Sequence, residues 1–143
     1  MFNKIKHRNT KQRKVILEEL KKTTLHPTAE MLFKMVKKRS PKISFGTVYR
    51  NLNLLKEQGQ ILELTCGKDS CRYDGDITPH YHFFCLTCKK VFDLNISVLD
   101  KEEKLYKDIY KKTGLAIKYH RLDFYGYCKE CEIKMKEIKK SDK

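Results

Sequence analysis

The chain has 143 residues, with 32 Lys and Arg against 18 Asp and Glu, a formal charge of +14, and it is 40% hydrophobic and 35% charged. That length holds one domain or two small ones and excludes a TIM barrel and most large enzyme folds. The apolar share suffices for a core and excludes wholesale disorder; no stretch approaches the roughly 18 to 20 uncharged residues of a membrane span. The start, Met1-Phe2-Asn3-Lys4-Ile5-Lys6-His7-Arg8, lacks the apolar centre of a signal peptide, so a cytoplasmic protein without a membrane partner is expected. Charge is uneven along the chain. Up to Arg72 there are 17 basic and 6 acidic residues, +11, whereas from Asp74 onward 15 basic and 12 acidic residues give +3. The first half suits a polyanion, and on charge alone nucleic acid, an anionic membrane surface and a merely solubilising lysine surface all fit.

The predicted elements begin with three helices and a hairpin. Thr10 caps a helix to about Lys22 with Val15, Ile16 and Leu20 on its apolar face. Thr28 caps a second, with Ala29, Leu32, Phe33 and Val36 at helical spacing. A third starts near Ser44, buries Val48, Leu52 and Leu55, and ends at Gly59, where a left-handed cap is expected. Gln60 to Thr65 alternate as a strand, Cys66 to Ser70 form a polar turn, and Cys71 to Asp74 return antiparallel. Three helices and a β-hairpin make a winged helix. In a helix-turn-helix module the second helix of the pair meets base edges in the major groove. With Val48, Leu52 and Leu55 facing the core, Thr47, Arg50 and Asn51 face away beside Tyr49. Arg suits guanine, Asn suits adenine, and Thr or Tyr can meet a thymine methyl, so these four are the predicted DNA-reading residues.

Residues 74–80 contain turn formers without apolar periodicity and read as a hinge between a DNA-binding domain, 1–73, and a second domain, 81–143. Beyond the hinge, Tyr81 to Cys85 and Lys90 to Leu94 are predicted strands. Ser97 with Asp100 forms a capping box for a helix to about Lys112, ended by Gly114. Leu115 to Tyr125 is predicted as a longer strand, its alternation broken near His120, and a Lys-rich helix follows Cys128. The fold class is α+β, and a second domain of this size needs a staple or a partner subunit.

Two Cys-x-x-Cys pairs, Cys85 with Cys88 and Cys128 with Cys131, have the spacing of zinc knuckles and predict one structural four-thiolate zinc site. The 39 residues between the pairs exceed a compact zinc ribbon, so the intervening strand-helix-strand unit must bring them together. A redox pair and four buried thiols are the alternatives. A second candidate set surrounds the hinge. On a strand, His80 and His82 are expected to present their imidazoles to different faces unless the chain bends at Pro79. Asp74 precedes the pair, Asp93 follows on the neighbouring strand, and His26 stands before the second helix. Imidazole and carboxylate ligands without thiolate lean toward Fe(II) or Mn(II). A surface-loop His26 and turn-forming aspartates remain the alternative.

At these residues the sequence resembles the ferric uptake regulator family, and within it the peroxide-responsive repressors. The resemblance is carried by Thr10-Lys11-Gln12-Arg13, His26-Pro27-Thr28-Ala29-Glu30, Gly46 to Leu52, Arg72-Tyr73-Asp74, His80 to Cys88 and Tyr125 to Cys131. It implies a homodimeric, metal-dependent repressor of a pseudo-palindromic DNA operator. It also implies structural Zn(II) on the four cysteines and a regulatory Fe(II) or Mn(II) ion on His26, Asp74, His80, His82 and Asp93. In such relatives hydrogen peroxide oxidises a histidine matching His26 or His80, and a basic residue matching Arg8 reaches the minor groove. The event consumes the sensor and turns over no substrate, so no enzyme is implied. An iron, manganese or zinc uptake regulator is the alternative within the family. Tyr81 stands where some iron sensors place a further histidine ligand, leaving His120 without that partner, and Cys66 and Cys71 match no ligand.

Overall fold

The computed structural model describes residues 11–65, 71–94 and 99–142, so Arg8, the Thr10 cap, Cys66 and its turn, and the Ser97 cap lie outside the described residues. The chain divides into two compact units, Met1–Thr78 and Pro79–Lys143. No helix among the described residues is long and apolar enough to cross a membrane.

The first unit is a winged helix: α1 (Lys11–Lys22), α2 (Ala29–Lys37), α3 (Phe45–Glu57) and an antiparallel hairpin of β1 (Leu62–Thr65) and β2 (Cys71–Asp74). Helix starts follow side-chain chemistry. Thr28 accepts from the Met31 amide and Ser44 from the Thr47 amide, each satisfying a donor that the first helical turn leaves open. Gly59 ends α3 at φ 68°, with Gly59 N bonded to Lys56 O and Gln60 N to Leu55 O, the paired bonds of a Schellman cap. Ile16 and Leu20 of α1, Leu32 and Val36 of α2, and Val48, Leu52 and Leu55 of α3 close on Ile43, Ile61 and Tyr73 as one core. Each aliphatic side chain buried there contributes about 1.5–3 kcal/mol before entropy is counted. This core fixes α3 so that its opposite face carries Thr47, Tyr49 and Arg50.

The second unit holds a three-stranded sheet in the order β4-β3-β5, with β3 (Tyr81–Cys85) antiparallel to β4 (Val91–Leu94) and parallel to β5 (Asp123–Gly126). Helix α4 (Leu99–Thr113) makes the crossover and α5 (Lys129–Ser141) closes the chain. Gly114 caps α4 at φ 73°, its amide bonded to Tyr110 O. The strand expected over 115–125 shrinks to Asp123–Gly126. Strand β3 is only five residues long and its register with β5 starts at His82 and Asp123, so residues before 123 have no edge to pair with. The core is thin: among the described residues the buried apolar side chains here are Phe84, Cys85, Val91 and Cys131. Leu105 and Tyr110 of α4, Phe124 of β5 and Ile138 of α5 are exposed.

Candidate functional site

The sheet register brings the cysteine pairs together. Cys85 ends β3 and faces Gly126 across the parallel ladder, so the two residues after Gly126 carry Cys128 back beside it. Leu86 N bonds to Gly126 O at 2.7 Å, locking this approach. The first pair is folded into a knuckle by Lys89 at φ 61°, whose amide donates to Cys85 O. The second pair starts α5: Cys128 is its N-cap and Cys131 lies in the first turn, where the helix dipole favours thiolates. Sulfurs of Cys88 and Cys128 are 3.8 Å apart, and one sulfur from each of the four residues lies within 4.8 Å of the others.

Electrostatics of these thiols suit a cation. Burial pushes the Cys85 thiol up, yet backbone amides of Cys128, Cys88 and Thr87 outweigh it and bring it down to about 6. Burial, then the thiols of Cys128, Cys85 and Cys88, push Cys131 up to about 12. The Cys85 thiolate forms readily, whereas Cys88 and Cys131, both pushed up first by burial, resist unless a positive ion compensates them. Four sulfur donors in this arrangement match the closed set that holds structural Zn(II).

The nitrogen and oxygen donors form two groups, one in each unit. In the first, His26 Nε2 lies 3.4 Å from Asp74 Oδ2, and both side chains are buried. Asp74 ends β2, as the expected strand Cys71–Asp74 has it, and its Oδ1 accepts from the Asp76 amide at 2.8 Å, which orients the carboxylate. His26 adopts φ 47° directly before Pro27, a combination that costs energy for any side chain but glycine and persists only where the surroundings impose it. The surroundings are β2. Arg72 Nη1 donates to His26 O at 3.2 Å, Tyr73 N to Pro27 O at 3.0 Å, and Thr28 bridges Arg72.

In the second unit, Asp93 is register-paired with His82 across the β3–β4 ladder. Its Oδ1 lies 3.1 Å from His80 Nε2 and 3.4 Å from His82 Nε2, and the imidazole rings are 4.4 Å apart. The expectation that His80 and His82 need a bend to share an ion is corrected here: side chains two residues apart on an extended chain share a face. With Tyr81 in place of a histidine, His120 sits instead among tyrosine hydroxyls, neighbours that the sequence did not indicate. Its Nδ1 is 2.5 Å from the Tyr106 hydroxyl and its Nε2 3.4 Å from the Tyr81 hydroxyl, which also donates to Glu102.

On α3, Tyr49 and Arg50 are exposed, the Tyr49 ring stacks on Phe45, and Arg50 Nη2 reaches Thr47 Oγ1 at 3.4 Å. Asn51 is half-buried, its amide engaged by Arg13 and by Thr47 O.

The sequence profile of the ferric uptake regulator family matches residues 4–125. The chain belongs to that family. It is 40% identical over 127 residues to the peroxide operon regulator of Bacillus subtilis, covering 89% of this chain and 86% of that protein. Among solved structures, the peroxide stress regulator of Campylobacter jejuni matches with TM-score 0.69 and 34% identity, over 84% of this chain and 88% of that one. The ferric uptake regulator of Helicobacter pylori, described with three functional metal binding sites, matches with TM-score 0.76 and 26% identity over 87% and 82%. As a member of the ferric uptake regulator family the protein is a metal-responsive transcriptional regulator, not an enzyme, and stands close to the peroxide repressors.

Proposed function

We propose that the protein is a cytoplasmic homodimeric repressor that binds a pseudo-palindromic double-stranded DNA operator in a metal-dependent way and senses hydrogen peroxide through oxidation of its own histidines. Donor chemistry carries the reading. His26 with Asp74, and His80 and His82 with Asp93, offer three imidazoles and two aspartates and no thiolate, a set that suits Fe(II) or Mn(II). Resemblance to the Bacillus subtilis regulator supports it. One cation held by both groups ties the winged helix, 1–73, through the 74–80 hinge to the dimerising domain, 81–143. This sets the spacing of two recognition helices, which must match operator half-sites. Its effect on DNA affinity equals its preference for that arrangement.

Zn(II) on Cys85, Cys88, Cys128 and Cys131 staples the thin second core, and a second copy of the chain covers the apolar side chains that α4, β5 and α5 expose. Arg8, Thr47, Tyr49, Arg50 and Asn51 form the nucleic-acid face. When bound, Fe(II) would supply the electrons that activate hydrogen peroxide beside His26 and His80. Peroxide would be the oxidant, one of its oxygen atoms replacing a ring C–H of His26 or His80 with C–OH and the other leaving as water. The oxidised imidazole would be a poorer ligand, so metal-dependent repression would end; Mn(II) would support DNA binding without this reactivity.

Protein purified without oxygen is expected to hold one zinc and one iron or manganese per chain. Peroxide added to the Fe(II) form is expected to add one oxygen atom to the peptide containing His26 or His80, read by mass spectrometry. Metal-dependent DNA binding with no oxygen addition would assign the protein to metal uptake control instead.

A further inference from the structure

Four residues of α3 carry base-compatible side chains, but Asn51 is not placed like the others. Its Oδ1 accepts from Arg13 Nε at 3.0 Å and its Nδ2 donates to Thr47 O at 2.8 Å. Arg is only a donor and a carbonyl only an acceptor, so the two partners fix which end of the amide is oxygen. Reading adenine uses an amide's oxygen and nitrogen together, and here both already have partners in the protein.

The partner on α1 has the stronger claim to DNA. Arg13 is half-buried and shares with Gln12, Arg50, Asn53 and Glu57 an open cleft of about 450 Å³ between α1 and α3. The first turn of α1 contains no acidic residue and carries Lys11, Arg13 and Lys14, so the local field favours an anion. A bond at Nε sets the plane of the guanidinium, the group whose planar fork best matches phosphate oxygens. Phosphate contacts supply half or more of the hydrogen bonds in protein–DNA interfaces and fix the register from which base-reading side chains work.

We propose that Arg13 is a DNA backbone contact and that Asn51 is the residue that positions it, so the nucleic-acid face is built from α1 as well as α3. This rests on the DNA-binding reading above. Asn51 thereby acts on affinity for any sequence, while Arg50, Tyr49 and Thr47 are left to discriminate bases.

The test uses the full-length, metal-loaded protein with two duplexes: one selected by the wild-type protein from a random library, and a scrambled duplex of equal composition. Arg13→Ala and Asn51→Ala are each expected to weaken both complexes by roughly ten-fold, leaving their ratio unchanged. Arg13→Ala should also lower the slope of log affinity against log salt by about 1, whereas Arg13→Lys keeps the slope and loses affinity. The double substitution should bind no more weakly than Arg13→Ala alone. A shift of base preference at one position in Asn51→Ala, or additive losses in the double variant, overturns the proposal. Wild-type protein that retains no duplex overturns the DNA reading itself; wild-type binding with unaltered Arg13→Ala affinity overturns this inference alone.

Discussion

Arg72 Nη1 donates to the carbonyl oxygen of His26 at 3.2 Å, with Arg72 itself buried in β2. The same strand ends two residues later in Asp74, whose carboxylate faces the His26 ring at 3.4 Å. One short strand therefore clamps the strained backbone of a candidate ligand and supplies that ligand's neighbour. Metal-ligand supports of this kind typically change metal affinity by about 10- to 100-fold when removed. Arg72→Leu is expected to weaken Mn(II) binding by that order while leaving one zinc per chain, measured by metal analysis and Mn(II) titration. Unchanged Mn(II) affinity would separate the clamp from the site.

Gly75 follows Asp74 and passes against the end of α1. A Cβ there would lie 2.9 Å from Lys21 N and 3.0 Å from Leu20 C and O, which are backbone atoms fixed by helical hydrogen bonds and unable to turn aside. Gly75→Ala is expected to lower stability by about 1–3 kcal/mol, seen as a reduced melting temperature. At Gly59 a Cβ meets nothing within 4 Å, so Gly59→Ala should cost only the left-handed conformation, about 1–2 kcal/mol.

Helix starts, the hairpin and both knuckles were legible because each depends on residues close in sequence: Thr28 and Ser44 as caps, Gly59 as a stop, cysteines three apart. The four-sulfur cluster was inferable from spacing, but its cause, the parallel β3–β5 ladder that sets Gly126 beside Cys85, was hidden by an overlong strand prediction. Alternation in 115–125 mimics a strand, and pairing length is decided by the neighbour, here the five residues of β3. Asp74 was legible as the end of the returning strand Cys71–Asp74, while Gly75-Asp76 after it also marked the start of the hinge. The Arg72 clamp and the Tyr81–His120–Tyr106 group join residues far apart in the chain, and nothing in local pattern announces them. Asn51 had the right chemistry for adenine; only Arg13, 38 positions away, shows where its amide is engaged.

Tyr73 lies in the first core, and burial, followed by Glu63, Cys71 and Tyr49, pushes its phenol up to about 12 from 10. The folded state thus resists ionising this group while the unfolded chain does not. Its contribution is fully present below pH 10 and is lost as pH rises from about 10 to about 12. Tyr73→Phe removes that titration, so the difference in stability between wild type and variant should drift in the variant's favour across this window. Parallel alkaline unfolding curves for the two proteins would count against it.

Asp93 contributes a single oxygen to two imidazoles, 3.1 Å from His80 and 3.4 Å from His82, at a register position opposite His82. Glutamate at this place keeps the charge but adds a methylene, so the carboxylate must swing away from one ring or displace the strand. A divalent cation tolerates such a change better than a peroxide reaction does, because electron transfer and attack on a neighbouring ring depend on ligand placement and on an accessible position at the ion. Asp93→Glu is accordingly expected to retain Mn(II)-dependent DNA binding within a few-fold, while oxygen addition to His26 and His80 in the Fe(II) form slows by ten-fold or more, of the order seen when a support of the ion is altered. Timed peroxide exposure followed by peptide mass spectrometry measures both histidines in one experiment. Equal oxidation rates in the variant and the wild type would show that the identity of this carboxylate does not tune the sensor.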